Sequence, residues 1–195
     1  FLCKWRLKCR AVADSLEEAG EALFAFTRLP LSQWKSARTT NAIERLHERA
    51  FGPGRFARTA FRLREGVPPD HALSFAAHVG TFLVGSVKVT TVLAGGHKAL
   101  MLGPLTVDPA FEGRGIGAAL MNRSIEAARE TGHDLIMLIG DAPYYARFGF
   151  KVLPPGQLVL PGPVDPARFL ALELVEGVLK QRSGAVTSMR FSSDA

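Results

Sequence analysis

The chain has 195 residues, 47% of them hydrophobic, with 24 Lys+Arg against 18 Asp+Glu and a formal charge of +6. That suffices for one ordinary domain, or one domain plus a fragment, with its own core, and it excludes a disordered tail. No apolar run reaches the roughly 18 uncharged residues a membrane helix needs, and the basic excess is too modest to indicate an anionic partner by itself.

Two cysteines, Cys3 and Cys9, are too few for a disulfide framework, and no metal-ligand cluster surrounds them. A reduced, cytoplasmic setting without a metal is therefore expected. No charged segment followed by an apolar stretch opens the chain after Phe1, so no secretory leader is expected.

Up to about position 50 the chain reads as helices. Val12, Leu16, Leu23 and Phe26 recur at helical spacing until Pro30 breaks the pattern. Thr40 or Asn41 then caps a second helix over 42–50, with Ile43, Leu46 and Ala50 on its apolar face. Past Gly52-Pro53-Gly54 the sequence suits a short helix over 55–64.

From about 73 the pattern turns to strands. Segments 73–77 and 82–92, joined by a turn at Val79-Gly80, read as a hairpin. A third run, 99–107, is interrupted by Gly103-Pro104, which predicts a bulge. An amphipathic helix over 116–131 follows, with Ile116, Leu120, Met121, Ile125 and Ala128 inward and Gly132 at its C-terminus. Strands are then expected at 135–139, 150–153, 169–175 and 185–189. Strand 99–107, helix 116–131 and strand 135–139 form a crossover unit, so those two strands should run parallel within a mixed sheet.

The chemistry concentrates in 105–118. A strand ends, glycines fall at 113, 115 and 117, and a helix begins at once. Glycines let the backbone turn tightly and let a ligand approach closely. The first-turn N–H groups of the helix, at the positive end of its dipole, then suit a pyrophosphate. Arg114 is placed either to add a charge or to lie in solvent. The spacing is wrong for a Gly-x-Gly-x-x-Gly dinucleotide site, and no Gly-Lys-Ser/Thr follows for a P-loop.

Together with Gly140-Asp141-Ala142-Pro143-Tyr144-Tyr145-Ala146-Arg147-Phe148-Gly149-Phe150, this turn resembles the GNAT superfamily of acyl-CoA N-acyltransferases over about residues 50–190. The family's Gln/Arg-x-x-Gly-x-Gly/Ala motif is matched by 112–117, with Glu112 in place of Gln or Arg. Its Tyr-x-x-x-Gly-Phe element is matched by 145–150, and the wording is most similar to a branch predicted to act on small molecules. The resemblance implies an α/β (α+β) fold: a mixed, mostly antiparallel sheet whose central parallel pair splays around acyl-CoA, with helices on both faces. It implies acetyl-CoA as cosubstrate, held by Leu105, Thr106 and Val107 along the pantetheine arm and by Gly113, Arg114, Gly115, Ile116, Gly117 and Ala118 at the pyrophosphate. It further implies direct attack by an amine in a ternary complex, with an oxyanion donor near Val107 and Tyr145 as general acid to the leaving thiolate. Tyr144 reads as core. The five histidines (His47, His71, His78, His97, His133) are scattered and read as surface residues, so no general base is evident.

Residues 1–48, above all Ser32 to Glu48, resemble the C-terminal part of Mutator-type bacterial transposases. That family completes an Asp-Asp-Glu metal site with a glutamate matched by Glu44, but the two aspartates have no counterpart here, and two-metal chemistry needs them. Glu44 is thus expected to be a helix-surface carboxylate. The expected division is a non-catalytic helical segment over 1–48 and an acyltransferase domain over 49–195, whose usual first strand is missing or replaced. An uncovered sheet edge would favour a homodimer. The acceptor is expected to be a small-molecule or protein amine, with neither membrane nor nucleic acid as partner. The alternative is an inactive acyl-CoA-binding remnant of a transposase–acetyltransferase fusion.

Overall fold

Alternation of apolar and small residues from position 75 onward builds one mixed sheet. The computed structural model describes residues 43, 45–47, 63, 64 and 67–189. The expected helix over 12–26, Glu44 and the place of a first strand lie outside them. Of the expected helices over 42–50 and 55–64, the described residues 43, 45–47, 63 and 64 are helical. The chain divides into two compact units, 1–44 and 45–195, and the sheet belongs to the second.

The strands are β1 (Phe75–Val79), β2 (Phe82–Ala94), β3 (His97–Val107), β4 (Leu135–Ile139), β5 (Lys151–Val152), β6 (Leu158–Val159), β7 (Phe169–Glu173) and β8 (Gly184–Ser188). Helix α1 (Ile116–Glu130) links β3 to β4, and the one-turn α2 (Ala142–Ala146) follows β4. The order is β5-β7-β4-β3-β2-β8-β6, with β1 pairing β2 beside β8. Only β3–β4 and β6–β8 are parallel. The short β6 carries no pattern of its own and had no counterpart among the expected strands.

Period-two alternation divides the core between the two faces of the sheet. Val87, Val89, Leu100, Leu102, Ile136, Leu138, Leu170 and Leu172 pack with Leu120, Met121, Ile125 and Ala128 of α1. Val92, Ala94, Ala99, Met101, Leu135, Met137, Phe169 and Ala171 meet Leu63 and Leu153 on the opposite face. A strand covered on both sides reads as an unbroken apolar run, as Leu135–Ile139 does.

The bulge expected at Gly103-Pro104 sets the geometry that matters. Two residues, Gly103 and Pro104, separate Leu102 from Leu105, whereas Lys88 alone separates their partners Val89 and Val87. The extra residue reverses the alternation. Leu105 therefore packs beside α1, and Thr106 faces the opposite side. No helix among the described residues is long and apolar enough to cross a membrane.

Leu100 is fully buried between β3 and α1. Leu100→Ala should cost about 2–5 kcal/mol of unfolding free energy, read as a lower midpoint in urea at an unchanged slope.

Candidate active site

The loop after β3 is built to leave a helix end bare. Asp108 caps the turn Pro109–Phe111, its Oδ1 accepting from the Ala110 N–H at 3.0 Å. Gly115 then takes a left-handed φ of 80° as N-cap of α1 and offers no capping side chain. The first α1 amide bonded within the helix is Ala119, to the Gly115 carbonyl at 2.9 Å. The N–H groups of Ile116, Gly117 and Ala118 thus have no intrahelical acceptor and sit at the positive end of the dipole.

Those groups border a cavity of about 410 Å³. Leu105 and Val107 form one wall, Phe111 and Glu112 a second, the backbone of Gly113 and 115–118 a third, and Tyr144 with Arg147 the fourth. Seven of the nine residues expected to hold a cofactor line it: Leu105, Val107, Gly113, Gly115, Ile116, Gly117 and Ala118. Thr106 does not, because the bulge turns it to the far face. Neither does Arg114, whose guanidinium lies 5.2 Å from the centre of the Phe111 ring.

The cavity leads to a break in the sheet. β3 and β4 pair only at Leu100↔Ile136 and Met101↔Met137. Beyond that point the Asp108 N–H donates to the Val84 carbonyl at 2.8 Å, toward β2. By antiparallel alternation the peptide groups of Leu105 and Val107 point the other way, toward β4, where no strand pairs with them.

The two tyrosines take different places. Tyr144, expected in the core, lines the cavity: its hydroxyl oxygen lies 2.9 Å from where a Cβ on Gly117 would stand. Arg147, one turn on, lies 4.0 Å over the Tyr144 ring. Tyr145 instead packs against the core at the end of β4. Its ring edge fills the place that a Cβ on Gly140 would take, so a side chain there would have to displace Tyr145. Burial raises the Tyr145 hydroxyl to about 12, helped by Tyr144 and Asp141 and opposed by Arg168.

Sequence reasoning missed Phe111, Tyr144 and Arg147, of which the last two were signalled only by their i, i+3 spacing. It also put His47 at the surface. The ring is instead buried, its Nε2 3.0 Å from Ser86 Oγ, because the chain at 45–47 lies against β2 on the face opposite α1.

Residues 70–152 match the family described as acetyltransferase (GNAT) domain, and residues 1–52 match the transposase, Mutator family. Both resemblances read from the sequence are thus found, each over less than half of the chain. It is 34% identical over 113 residues to the uncharacterized N-acetyltransferase YjhQ of Escherichia coli K12, covering 56% of this chain and 62% of that protein. It is 26% identical over 106 residues to the uncharacterized N-acetyltransferase YhbS of the same strain, covering 53% of this chain and 64% of the relative. The aligned part spans less than two thirds of either curated relative. The crystal structure of the GNAT family N-acetyltransferase YhbS from Escherichia coli in complex with CoA superimposes with a TM-score of 0.65 at 24% identity, covering 80% of this chain and 87% of that one. The fold is that of the GNAT enzymes.

The chain has two tyrosines, so Tyr144→Phe leaves Tyr145 alone to titrate. Its ultraviolet ionisation midpoint should still lie above the ordinary tyrosine value because burial remains, but below about 12 because the Tyr144 charge is gone. A folded value above the unfolded value, roughly 10, means that the folded state holds the proton longer. Tyr145 therefore stabilises the fold below about pH 10, and that contribution is lost as pH rises from about 10 to 12. Urea midpoints over that window should fall less steeply for Tyr145→Phe than for its parent.

Proposed function

We propose that this chain is an acetyl-CoA-dependent N-acetyltransferase that moves an acetyl group to an amine by direct attack in a ternary complex. The observation that carries the reading is the break between β3 and β4, opening beside a helix end whose amides have no acceptor. Phosphate oxygens on the Ile116, Gly117 and Ala118 N–H groups would satisfy donors the fold leaves bare. A pantetheine arm carries two amides, and the unpaired peptide edge at Leu105 and Val107 suits it as an added strand would. The cavity volume lies in the range of small-molecule sites, and the YhbS structure of this fold holds CoA.

The chemistry asks for few groups. A neutral amine attacks the thioester carbonyl carbon, the C–N bond forms, and the carbonyl oxygen becomes an oxyanion that a peptide N–H on the Leu105–Val107 edge stabilises. The C–S bond then breaks, and Tyr145 supplies a proton to the leaving sulfur. A hydroxyl held near 12 is fully protonated at neutral pH, as that role requires. Tyr144 and Arg147, nearer the helix end, serve the phosphates.

In this reading residues 1–48 contribute no transposase chemistry, the acyltransferase domain occupies 49–195, and two cysteines suit a reduced cytoplasm. The second reading, an inactive remnant that still binds acyl-CoA, draws on Glu112, a carboxylate in the cavity wall where the family motif has Gln or Arg.

Acetyl-CoA should bind with one-to-one stoichiometry in calorimetry, and Gly115→Ala, strained at a φ of 80°, should weaken it at least tenfold. Tyr145→Phe should lower kcat on the order of a hundredfold with acetyl-CoA affinity unchanged. Binding with no turnover of any amine would favour the remnant.

A further inference from the structure

The lining of the cavity includes one cationic side chain, Arg147, and its surroundings are not those of an ordinary surface arginine. Its guanidinium carbon lies 4.0 Å from the centre of the Tyr144 ring and 5.1 Å from that of Phe148. The two rings stand 5.8 Å apart, so the side chain rests against both instead of sweeping through solvent. None of the ion pairs among the described residues includes it. A guanidinium held by two rings and not engaged by a carboxylate is preorganised for an anion that arrives from outside.

Its place relative to the bare amides decides which anion. The Tyr144 hydroxyl reaches the first turn of α1, 2.9 Å from where a Cβ on Gly117 would stand, and Arg147 stacks on that same ring. One tyrosine thus separates the guanidinium from the amides of Ile116, Gly117 and Ala118. Coenzyme A has the matching arrangement, since one ribose separates its pyrophosphate from a phosphate monoester. Each pyrophosphate phosphorus carries a single negative charge, which lone N–H donors and a helix dipole satisfy. The monoester carries nearly two charges near neutrality and three terminal oxygens, the group that a planar guanidinium fork holds bidentately. Resting on the acyltransferase reading above, we infer that Arg147, stacked on Tyr144, is the specificity-determining residue for the acyl donor and grips the ribose phosphate of coenzyme A. The donor is then a free coenzyme A thioester. A thioester on the phosphopantetheine arm of a carrier protein has no ribose phosphate, and the site takes it poorly.

Calorimetry with acetyl-CoA and with acetyl-dephospho-CoA, which lacks only the ribose phosphate, tests this. The parent should bind acetyl-CoA about thirtyfold more tightly. In Arg147→Gln that advantage should shrink to within about twofold, through lost affinity for acetyl-CoA with acetyl-dephospho-CoA bound as before. Arg147→Lys, a point charge without the fork, should recover part of it. In steady state the change should fall on KM for acetyl-CoA and not on kcat, because the ribose is remote from the thioester. Arg147 is exposed, so both variants should keep the parental Tm. Equal weakening of both donors would put the guanidinium on the pyrophosphate and overturn the inference, as would a parent that does not distinguish them. A parent that binds neither donor would instead remove the acyltransferase reading on which the inference rests.

Discussion

Parallel strands that stay paired leave no room for a ligand between them, so the short register of β3 against β4 is the constraint on which the rest of the site depends. The pairing ends at Met101 and Met137, two residues before the bulge. Proline at 104 has no N–H to offer a neighbour, and the residue gained against β2 adds local twist. The residue gained reverses the alternation, so that Leu105 and Val107 turn toward α1. Had β3 run through without the bulge, Thr106 would face the cavity and Leu105 the far side, and the polar and apolar walls would be exchanged.

The glycine turn uses the same economy. A helix N-terminus normally satisfies its donors with a side-chain cap. Here Gly115 caps without a side chain, and the preceding Asp108 spends its carboxylate on Ala110 instead. Three amides are left for an anion, and the nearest wall adds Arg147 stacked on Tyr144. Positive partial charge thus collects at this end of the cavity, opposite the wall that Leu105 and Val107 form.

Features carried by local pattern were legible in the sequence, and features created by docking were not. The crossover helix, its partner strands and the bulge each have a strong signature: a 3.6-residue period, an unbroken apolar run, a Gly-Pro pair. The glycine turn was legible only together with the 140–150 stretch, since a tight turn between strand and helix can use the same glycines by itself. Tyr144 and Tyr145 defeat such reasoning, because neighbours on one helical turn point about 100° apart and only the docking of α2 decides which meets the cavity. Thr106 and Arg114 fail for related reasons. A residue inside a motif inherits its backbone position but not its side-chain direction, which the bulge set for one and the Phe111 ring for the other. The misplaced His47 is the instructive case. Nothing near position 47 signals burial, since its partner lies 39 residues away on β2 and the stretch containing it matches a different family from the sheet it touches.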